Sequence, residues 1–471
     1  VDQTIFITIN GSDDPVITAP TGNMIGALTE GQGGSASGSF SFTDVDLTDR
    51  PTATILSSSF TDQKQDLSFR ILTDSEKARL AYGFTISPGT NNNDGTINWN
   101  YDGSDTNLAV IAGGDIVTGN FTVRVNDGHG GISDQVVTMT FTGANSAPVV
   151  DVSASPILAA INEDSGAPVG SVGTLISSLI SGISDDDSGS LIGLAITATN
   201  SSNGILYYTL NGGTTWSQVG SVSDSSALLL ASDSNTRLCF VPSANFNGTI
   251  ANVLTFRAWD QTTNTNGDRV DFTVANSTGG RTAFSVASDT VAITVNAIND
   301  APVASGSATL VAVNEDTSSP SGATISSLFS SNFSDATDTV SGGSSANTFA
   351  GIAITSYTVD ATKGDWQYSA DGSTGWTSLS TVSSASSSFT LQSSYYLRFV
   401  PAANWNGAAP TLTVVLIDSS TSVTNAATVN VSTRGGTTAY SSSTVTLSHS
   451  VSAVNDAPVA SGSATLVAVN E

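Results

Sequence analysis

The sequence repeats itself over a long period. The seventeen residues NDAPVASGSATLVAVNE begin at Asn299 and recur letter for letter from Asn455, 156 residues later. A diverged copy begins at Asn145 with NSAPV, 154 residues before Asn299. A period of this length corresponds to a whole domain rather than to one turn of a solenoid. The sequence therefore predicts a tandem array of domains.

The positions of the repeats set the expected domain limits. We expect three domains, at 14–144, 145–298 and 299–454. Residues 1–13 are then the closing strand of a preceding repeat, and residues 455–471 are the opening strand of a following one. In this interpretation the 471 residues are a window on a longer array.

The composition and the local patterns favour β-sandwiches. Charged residues make up 11% of the chain and aromatic residues 7%. Runs such as TVAITVN (290–296) and FTVRVND (121–127) are rich in β-branched residues and are bounded by Asn and Asp. Only DSEKARL (74–80) has a helical pattern, and we expect one or two turns there. Many short strands with frequent turn signals predict an all-β chain.

The charge balance excludes nucleic acid as a partner. Forty acids against thirteen bases give a net charge of −27. No basic surface that could neutralise phosphates can be assembled from so few bases. Acids gathered at fixed places would instead bind cations. No stretch of the sequence is apolar over the length that a transmembrane helix needs.

The single cysteine, Cys239, cannot form an intrachain disulfide. It lies in RLCFVP, where the next repeat has LRFVP, so that Cys239 takes the place of Arg398. Alternation along these strands predicts that Cys239 points outward. The same alternation predicts four core residues on equivalent strands, which are Leu238, Phe240, Leu397 and Phe399.

Several motifs recur in the same order in the second and third repeats. INED (161–164) answers VNED (313–316), and FVPSANFNG (240–248) answers FVPAANWNG (399–407). These repeats resemble the cadherin-like tandem repeats of very large bacterial surface proteins, which close on NDAP.

The first repeat carries a different set of motifs: FTDVD (42–46), DGTINWNYDG (94–103) and GNFTVRVNDGHGG (119–131). It resembles the VCBS repeat. The two resemblances imply Ig- or cadherin-like Greek-key β-sandwiches arranged as an elongated rod. They also imply an extracellular setting, calcium at the domain junctions, and a role in the stalk of an adhesin or in a matrix fibre rather than in catalysis.

Strand direction indicates which acids can meet at a junction. The fifteen residues 148–162 span about 50 Å when extended at ~3.3 Å per residue. That is a domain length, so Glu163 should lie at the far end of the second domain. The linker supplies Asn299 and Asp300. Loops of the third domain that turn back toward the linker should bring further acids to the same place.

The same rule applies at every junction, and oxygen-rich groups of this kind are what calcium binds. For the second–third junction the predicted ligands are Glu163, Asn299, Asp300, Asp335, Asp338 and Asp418. For the first–second junction they are Glu30, Asn145, Asp185, Asp187 and Asp260. For the N-terminal junction they are Asp13, Asp14, Asp44, Asp46 and Asp127, and Glu315, Asn455 and Asp456 begin a fourth group. The first–second site is expected to be weaker, because Ser146 replaces the linker aspartate.

Catalytic motifs find little support. TLNGGTTW (209–216) resembles the Asp-box of sialidases, which in that family is a structural turn, and the arginine cluster of a sialidase is missing. His129 and His449 each lack a neighbouring Cys or His, which argues against a zinc site and against a catalytic triad.

The sequence therefore predicts a non-enzymatic, calcium-rigidified stalk or fibre at a bacterial cell surface, whose partners are neighbouring repeats of the same protein. Two alternatives stay open. Loop 91–107, with Trp99 and Tyr101, could bind surface glycans by stacking. Alternatively, the terminal strands could complete the sheet of a neighbouring subunit and so form a polymer.

Overall fold

The computed structural model describes residues 3–5, 7, 12–64, 68–87, 92–187, 189–465 and 467. Most of the predicted closing strand in 1–13 lies outside these residues, as does Glu471 at the end of the predicted opening strand. The chain forms two compact units. Residues 1–159, 166–241 and 250–293 form the first unit, and residues 160–165, 242–249 and 294–471 form the second. The domain limits drawn from the repeat remain predictions.

The chain is all-β apart from short helices, as the sequence predicts. The strands of the first β-sandwich are β1 (Ile17–Pro20), β2 (Ile25–Thr29), β3 (Ser35–Thr43), β4 (Thr52–Gln63), β5 (Phe69–Arg70), β6 (Phe84–Ser87), β7 (Asp94–Asp102), β8 (Ile116–Asn126) and β9 (Ile132–Thr142). Its helices are α1 (Asp74–Tyr82) and α2 (Asp105–Leu108). Sheet β1-β3-β7-β6 packs on sheet β2-β9-β8-β4-β5 through one apolar core.

Helix α1 is the helix predicted at 74–80. It begins at a capping box, in which Thr73 accepts from the backbone N–H of Glu76 while the Glu76 carboxylate accepts from the backbone N–H of Thr73. Both groups satisfy donors that a helix start leaves without partners. In the described part of the chain no helix has the length and apolar character needed to cross a bilayer.

Trp99 and Tyr101 lie in the core of the first sandwich. Both are on β7, where inward and outward residues alternate, and both are at most 1% exposed. The Trp99 indole N–H donates to the Asn23 carbonyl at 2.9 Å, and the Tyr101 hydroxyl donates to the Leu80 carbonyl at 2.7 Å. The expectation that these rings stack on a glycan is therefore wrong, because they are already covered by protein.

The second β-sandwich is built from twelve strands. They are β10 (Val149–Val150), β11 (Ile161–Asn162), β12 (Thr174–Leu175), β13 (Ile183–Ser184), β14 (Gly193–Thr199), β15 (Gly204–Thr209), β16 (Ser217–Gln218), β17 (Ala227–Ala231), β18 (Arg237–Pro242), β19 (Gly248–Trp259), β20 (Arg269–Val270) and β21 (Phe284–Asn296). One sheet has the order β12-β18-β15-β16, and the other runs β21-β19-β14-β17-β20. In the second compact unit, β11 pairs in parallel with the last two residues of β21.

The third β-sandwich lies in the second compact unit. Its strands are β22 (Val303–Ala304), β23 (Ser307–Thr309), β24 (Val313–Asn314), β25 (Ala323–Thr324), β26 (Phe333–Ser334), β27 (Phe349–Ser356), β28 (Gly364–Ser369), β29 (Thr377–Ser378), β30 (Ser388–Gln392), β31 (Tyr396–Pro401), β32 (Gly407–Ala408), β33 (Leu412–Asp418), β34 (Ala427–Val429), β35 (Val445–Ser448) and β36 (Ser450–Ser452). Its helix is α3 (Ile325–Phe329). Sheet β25-β31-β28-β29 faces sheet β23-β35-β33-β27-β30-β34 across the core.

The alignment of the second and third repeats is confirmed. Leu238 and Phe240 on β18, and Leu397 and Phe399 on β31, are all buried. The two strands also pair alike, since Leu238 lies opposite Thr174 on β12 and Leu397 opposite Ala323 on β25.

The prediction for Cys239 is wrong. Its side chain is 6% exposed, although it does lie on the face of β18 opposite to Leu238 and Phe240. A Cβ built on Gly173 would be 3.0 Å from the Cys239 Cβ, so the chain before β12 covers this face. Alternation identifies the side of a sheet, whereas exposure depends on what lies over that side. Arg398 lies under a matching cover, since a Cβ built on Gly322 would be 3.0 Å from its Cβ, but its longer side chain extends past the cover and stacks 4.0 Å over the Trp376 ring.

Replacing Cys239 by Arg should destabilise the second sandwich by about 2–4 kcal/mol, because β15 (GILYYT) has no counterpart of Gln367, whose Oε1 accepts from Arg398 in the third repeat. The matched control Cys239→Ala keeps the site small and uncharged, and should cost ~1 kcal/mol. Chemical unfolding of both variants measures the difference. Equal stability of the two would show that the cover opens freely.

Candidate metal centres

The linkers dock onto the acidic loops in one recurring way. In each case the backbone N–H of the second linker residue donates to a carboxylate in the first acidic loop of the domain that follows. The pairs are Asp14 to Asp46 (2.9 Å), Ser146 to Asp187 (2.8 Å) and Asp300 to Asp338 (2.9 Å). We call the groups around these pairs the N-terminal, first–second and second–third clusters.

The glutamate that precedes each linker is fixed by the same linker. Its carboxylate accepts from the backbone N–H just before the linker Asn, from Ala144 to Glu30 (3.0 Å) and from Ile298 to Glu163 (2.6 Å). Both glutamates are buried. Each also donates its own backbone N–H to the end of the last strand of its domain, which holds it at the domain tip.

All five predicted ligands of the first–second cluster lie together. The Asn145 amide donates to Asp260 Oδ2 at 2.7 Å, and the backbone N–H of Asp187 donates to Asp185 Oδ1 at 2.8 Å. Burial raises the pKa of Asp187 to about 7, and the charges of Asp185, Glu30 and Asp260 add to this rise. Burial likewise raises the pKa of Asp185.

A cleft of about 610 Å³ opens beside this cluster. Asn145, Asp187 and Asp260 form part of its wall, and so does Arg281. The Arg281 guanidinium rests against Gly31, the residue after Glu30. Arg281 is therefore one of three cations, with Lys64 and Arg70, on the wall of the cleft that Asp187 and Asp260 also line.

All six predicted ligands of the second–third cluster also lie together. The Asn299 amide reaches Asp418 Oδ2 at 3.4 Å and the Thr438 carbonyl at 3.2 Å. Burial raises the pKa of Asp335 to about 6, helped by the charges of Asp338, Asp418 and Asp300. The pKa of Asp300 is also raised, by burial first and then by Asp164, Asp338 and Glu163.

Asn247, which sequence reasoning missed, links two loops in the second–third cluster. Its amide donates to Glu163 Oε2 (3.0 Å) and to Ser344 Oγ (2.9 Å), and its oxygen accepts from the Ser344 backbone N–H (2.7 Å). We call these contacts the Asn247 latch. The second asparagine of NFNG was available as a signal, and Asn406 in NWNG bonds Glu315 in the same way at 3.0 Å.

Asn347 was also missed, and its amide stands among the second–third acids. It donates to Asn299 Oδ1 at 2.8 Å and to Asp338 Oδ2 at 3.0 Å, and its backbone N–H donates to Asp335 Oδ2 at 2.5 Å. The loop that carries it, from Asp335 to β27, is longer than the matching loop before β14. No repeat motif marks this extra length, so the alignment gave no signal.

The N-terminal cluster brings together the predicted acids and two residues that were not predicted. Asp44 and Asp127 have ligand oxygens within 4.8 Å of one another and of Asp49. Asp49 and His129 form a second close group with Asp13. Asp14 and Asp46 contribute the linker hydrogen bond. Asp49 lies in the run DVDLTD (44–49), but the D-x-D spacing includes only Asp44 and Asp46 and so did not indicate it.

Of the fourth predicted group, only Glu315 has the buried arrangement seen in the other clusters. Glu315 is buried and accepts from the Val454 backbone N–H at 2.7 Å, as Glu163 does from Ile298. Asn455 and Asp456 are exposed.

The buried oxygens of these clusters fit a cation. In the described part of the chain, seven buried carboxylate or amide oxygens have no hydrogen-bond partner, and six of them belong to the three clusters. The six are Asp44 Oδ2, Asp127 Oδ2, Asn145 Oδ1, Asp185 Oδ2, Asp187 Oδ1 and Asp335 Oδ1. Buried acceptors almost always have partners, so these atoms call for an ion or for protons.

Comparisons with known proteins give structural similarities only. No protein-family model matches the sequence, and no curated protein matches it. Among solved structures, the chain is similar to the protocadherin gamma B2 extracellular cadherin domains 1–5, at 12% identity and a TM-score of 0.41, over 94% of this chain and 62% of that one. It is similar to human CDH23 EC21-23 at 12% identity and TM-score 0.41, over 93% and 100%. It is similar to mouse protocadherin-24 EC1-3 at 12% identity and TM-score 0.37, over 96% and 100%.

The raised pKa of Asp187 predicts a pH dependence in the presence of chelator. Between its ordinary pKa and about 7 the folded state holds a proton that the unfolded state has lost, so this group's contribution to stability falls as pH rises through 7. Asp187→Asn mimics the protonated acid. In thermal unfolding its gain over the wild type should be larger at pH 8 than at pH 5. Asp186→Asn, at an exposed neighbour, should show no such pH-dependent gain. An equal loss at both pH values would contradict the assignment.

The Asn247 latch should hold without metal. In chelator, Asn247→Ala removes the acceptor of the Ser344 backbone N–H, so hydrogen exchange at Ser344 should accelerate by about tenfold, which is the equivalent of ~1.4 kcal/mol. Asn406→Ala is the matched control, because it removes the corresponding bond to Glu315 and leaves Ser344 untouched. Unchanged exchange at Ser344 in Asn247→Ala would show that the latch does not contribute in solution.

Proposed function

We propose that this chain is a non-catalytic, extracellular repeat segment in which calcium couples successive β-sandwich domains, as in the stalk of a bacterial surface adhesin or a matrix fibre. The observation that carries the proposal is the set of buried oxygens without partners, gathered at each linker. Neighbouring repeats of the same protein are the partners that this function requires.

Calcium matches the chemistry of these oxygens. It takes six to eight oxygen ligands in flexible geometry, from carboxylates, amide oxygens and carbonyls. The first–second cluster offers four carboxylates and the Asn145 amide oxygen, which has no partner. Water that enters the adjoining cleft would complete the coordination. Magnesium, by contrast, demands a regular octahedron at shorter distances.

The ion would act by reversing an electrostatic repulsion. Without it, the glutamate of one domain and the aspartates of the next repel each other across the linker, and protons or amide groups must compensate. When calcium is bound, the same acids are held together as ligands of one positive ion. Because the apolar cores lie apart from the clusters, removal of calcium should loosen the linkers and leave each sandwich folded.

The Asn347 amide opposes calcium binding at the second–third cluster. Calcium that binds Asn299 and Asp338 must displace the Asn347 amide from both. The additional carboxylate of Asp300 favours binding here, and this displacement opposes it. The expectation that the first–second site is the weaker stays a prediction that a site-resolved titration would decide.

Calorimetry on the whole chain tests the proposal. Calcium at a hundred times its dissociation constant should stabilise the fold by about 2.7 kcal/mol per site. Asp300→Ala should weaken binding at the second–third cluster and leave the first–second cluster unchanged, and Asp187→Asn should do the reverse. Asp186→Asn, which alters an exposed acid beside Asp187, should bind as the wild type does.

Two results would contradict the proposal. No heat of binding at millimolar calcium would overturn the proposal. Equal losses in Asp186→Asn and Asp187→Asn would indicate a diffuse ion atmosphere around an acidic chain instead of built sites.

A further inference from the structure

The N-terminal cluster can be superimposed on the first–second cluster residue by residue through its backbone hydrogen bonds. The first match is Asp13 with Asn145. Each directly precedes the linker residue whose N–H bonds the acidic loop, which is Asp14 in one cluster and Ser146 in the other.

The second match is Asp49 with Ser190. The backbone N–H of each donates to the carbonyl of the acid that the linker docks on, Asp49 to Asp46 at 3.0 Å and Ser190 to Asp187 at 3.2 Å. The two residues therefore occupy the same place in the acidic loop.

The third match is His129 with Thr262. The backbone N–H of His129 donates to Asp127 Oδ1 at 2.7 Å, and that of Thr262 donates to Asp260 Oδ1 at 2.8 Å. In the second–third cluster, Ser420 stands in the same relation to Asp418.

At two positions a neutral hydrogen-bond donor, Ser190 or Thr262, is replaced by a metal-ligating group, and at the third the Asn145 amide is replaced by the Asp13 carboxylate. In the first–second cluster, Asn145 donates to Asp260, Ser190 Oγ donates to Asp185 Oδ1 at 3.0 Å, and Thr262 Oγ1 donates to Asp260 Oδ1 at 2.6 Å. In the N-terminal cluster the same positions carry two carboxylates and an imidazole.

The three replacements converge on one point. The ligand atoms of Asp13, Asp49 and His129 all lie within 4.8 Å of one another, and His129 Nδ1 is 3.2 Å from Asp49 Oδ2. Asp49 is 4% exposed, whereas the His129 side chain is 62% exposed and open to water. The adjacent acids Asp44 and Asp127, also buried, each keep one oxygen without a partner.

We propose that Asp13, Asp49 and His129 bind a transition-metal ion of the zinc class, beside the oxygen-only group of Asp44, Asp49 and Asp127. Imidazole nitrogen suits zinc, copper, iron and nickel, whereas calcium takes oxygen. An ion with bonds of about 2.0–2.2 Å bridges ligand atoms up to ~4.3 Å apart, so small side-chain rotations suffice. Water would supply the remaining positions. The site does not depend on calcium coupling at the other clusters.

His129 has no neighbouring Cys or His in the chain to share a zinc ion with. The fold instead brings two aspartates to it, from the linker and from the loop before β4.

Nuclear magnetic resonance of the imidazole nitrogens tests the site, because the chain has only two histidines. One equivalent of zinc, added to the full chain in millimolar calcium, should shift the ring signals of His129. The signals of His449 should stay in place, since His449 is buried between Trp366 and Phe399. Calorimetry should give one zinc per chain under these conditions.

Three variants import the neutral residue of the matched cluster: His129→Thr, Asp49→Ser and Asp13→Asn. Each should lower zinc affinity by at least about tenfold, the loss that weaker changes around metal sites already cause. His129→Thr should leave calcium binding at the first–second and second–third clusters as it is. Undiminished zinc affinity in His129→Thr, loss of zinc to millimolar calcium, or an unshifted His129 signal would each overturn the proposal.

Discussion

Carboxylates that are buried together at the ends of strands are the interaction on which the junctions of this chain depend. Burial disfavours the charged form of each acid, and its neighbours disfavour it further. Three ways of relieving this cost are visible in one chain. Asp187 takes up a proton more readily than usual, as its raised pKa records. The Asn347 amide donates into the second–third acids. The oxygens left without partners provide the third, which is room for a cation.

The sandwiches themselves do not share this dependence. Each core is apolar and packs large side chains such as Trp99 in the first domain and Trp366 in the third, both essentially inaccessible to water. In the proposed function, loss of calcium from the clusters would therefore leave the cores packed. This division between a self-sufficient core and conditional linkers is what allows one fold to be repeated while each junction is adjusted by substitutions in a few loop residues.

Sequence reasoning located the acids because strand direction and loop order are consequences of topology alone. Glu163, Asp300 and Asp338 are far apart in the chain, yet a Greek-key path returns them to one end. Sequence reasoning was wrong where the surroundings of a side chain determine whether it is buried. Alternation puts Cys239 on the correct side of β18, but the cover over that side comes from the segment at Gly173, which lies far from β18 in the chain. Trp99 and Tyr101 were read as loop residues, although the alternation I-N-W-N-Y already indicated a half-buried strand. Asn347 lies in an insertion, where an alignment of repeats has nothing to compare.

In the first–second and second–third clusters a buried glutamate, Glu30 or Glu163, is contributed by the preceding domain, so the proposed coupling across each linker acts through it. Its position is set twice by the same stretch of backbone. The Glu163 N–H donates to the Asn296 carbonyl at the end of β21, and its carboxylate accepts from the Ile298 N–H two residues further on. A linker that bends at Ile298 would release this carboxylate and, in the proposed function, withdraw a ligand from calcium. The proposed site would therefore respond to the conformation of the linker as well as to its charge, so that calcium binding would restrain the backbone at this point.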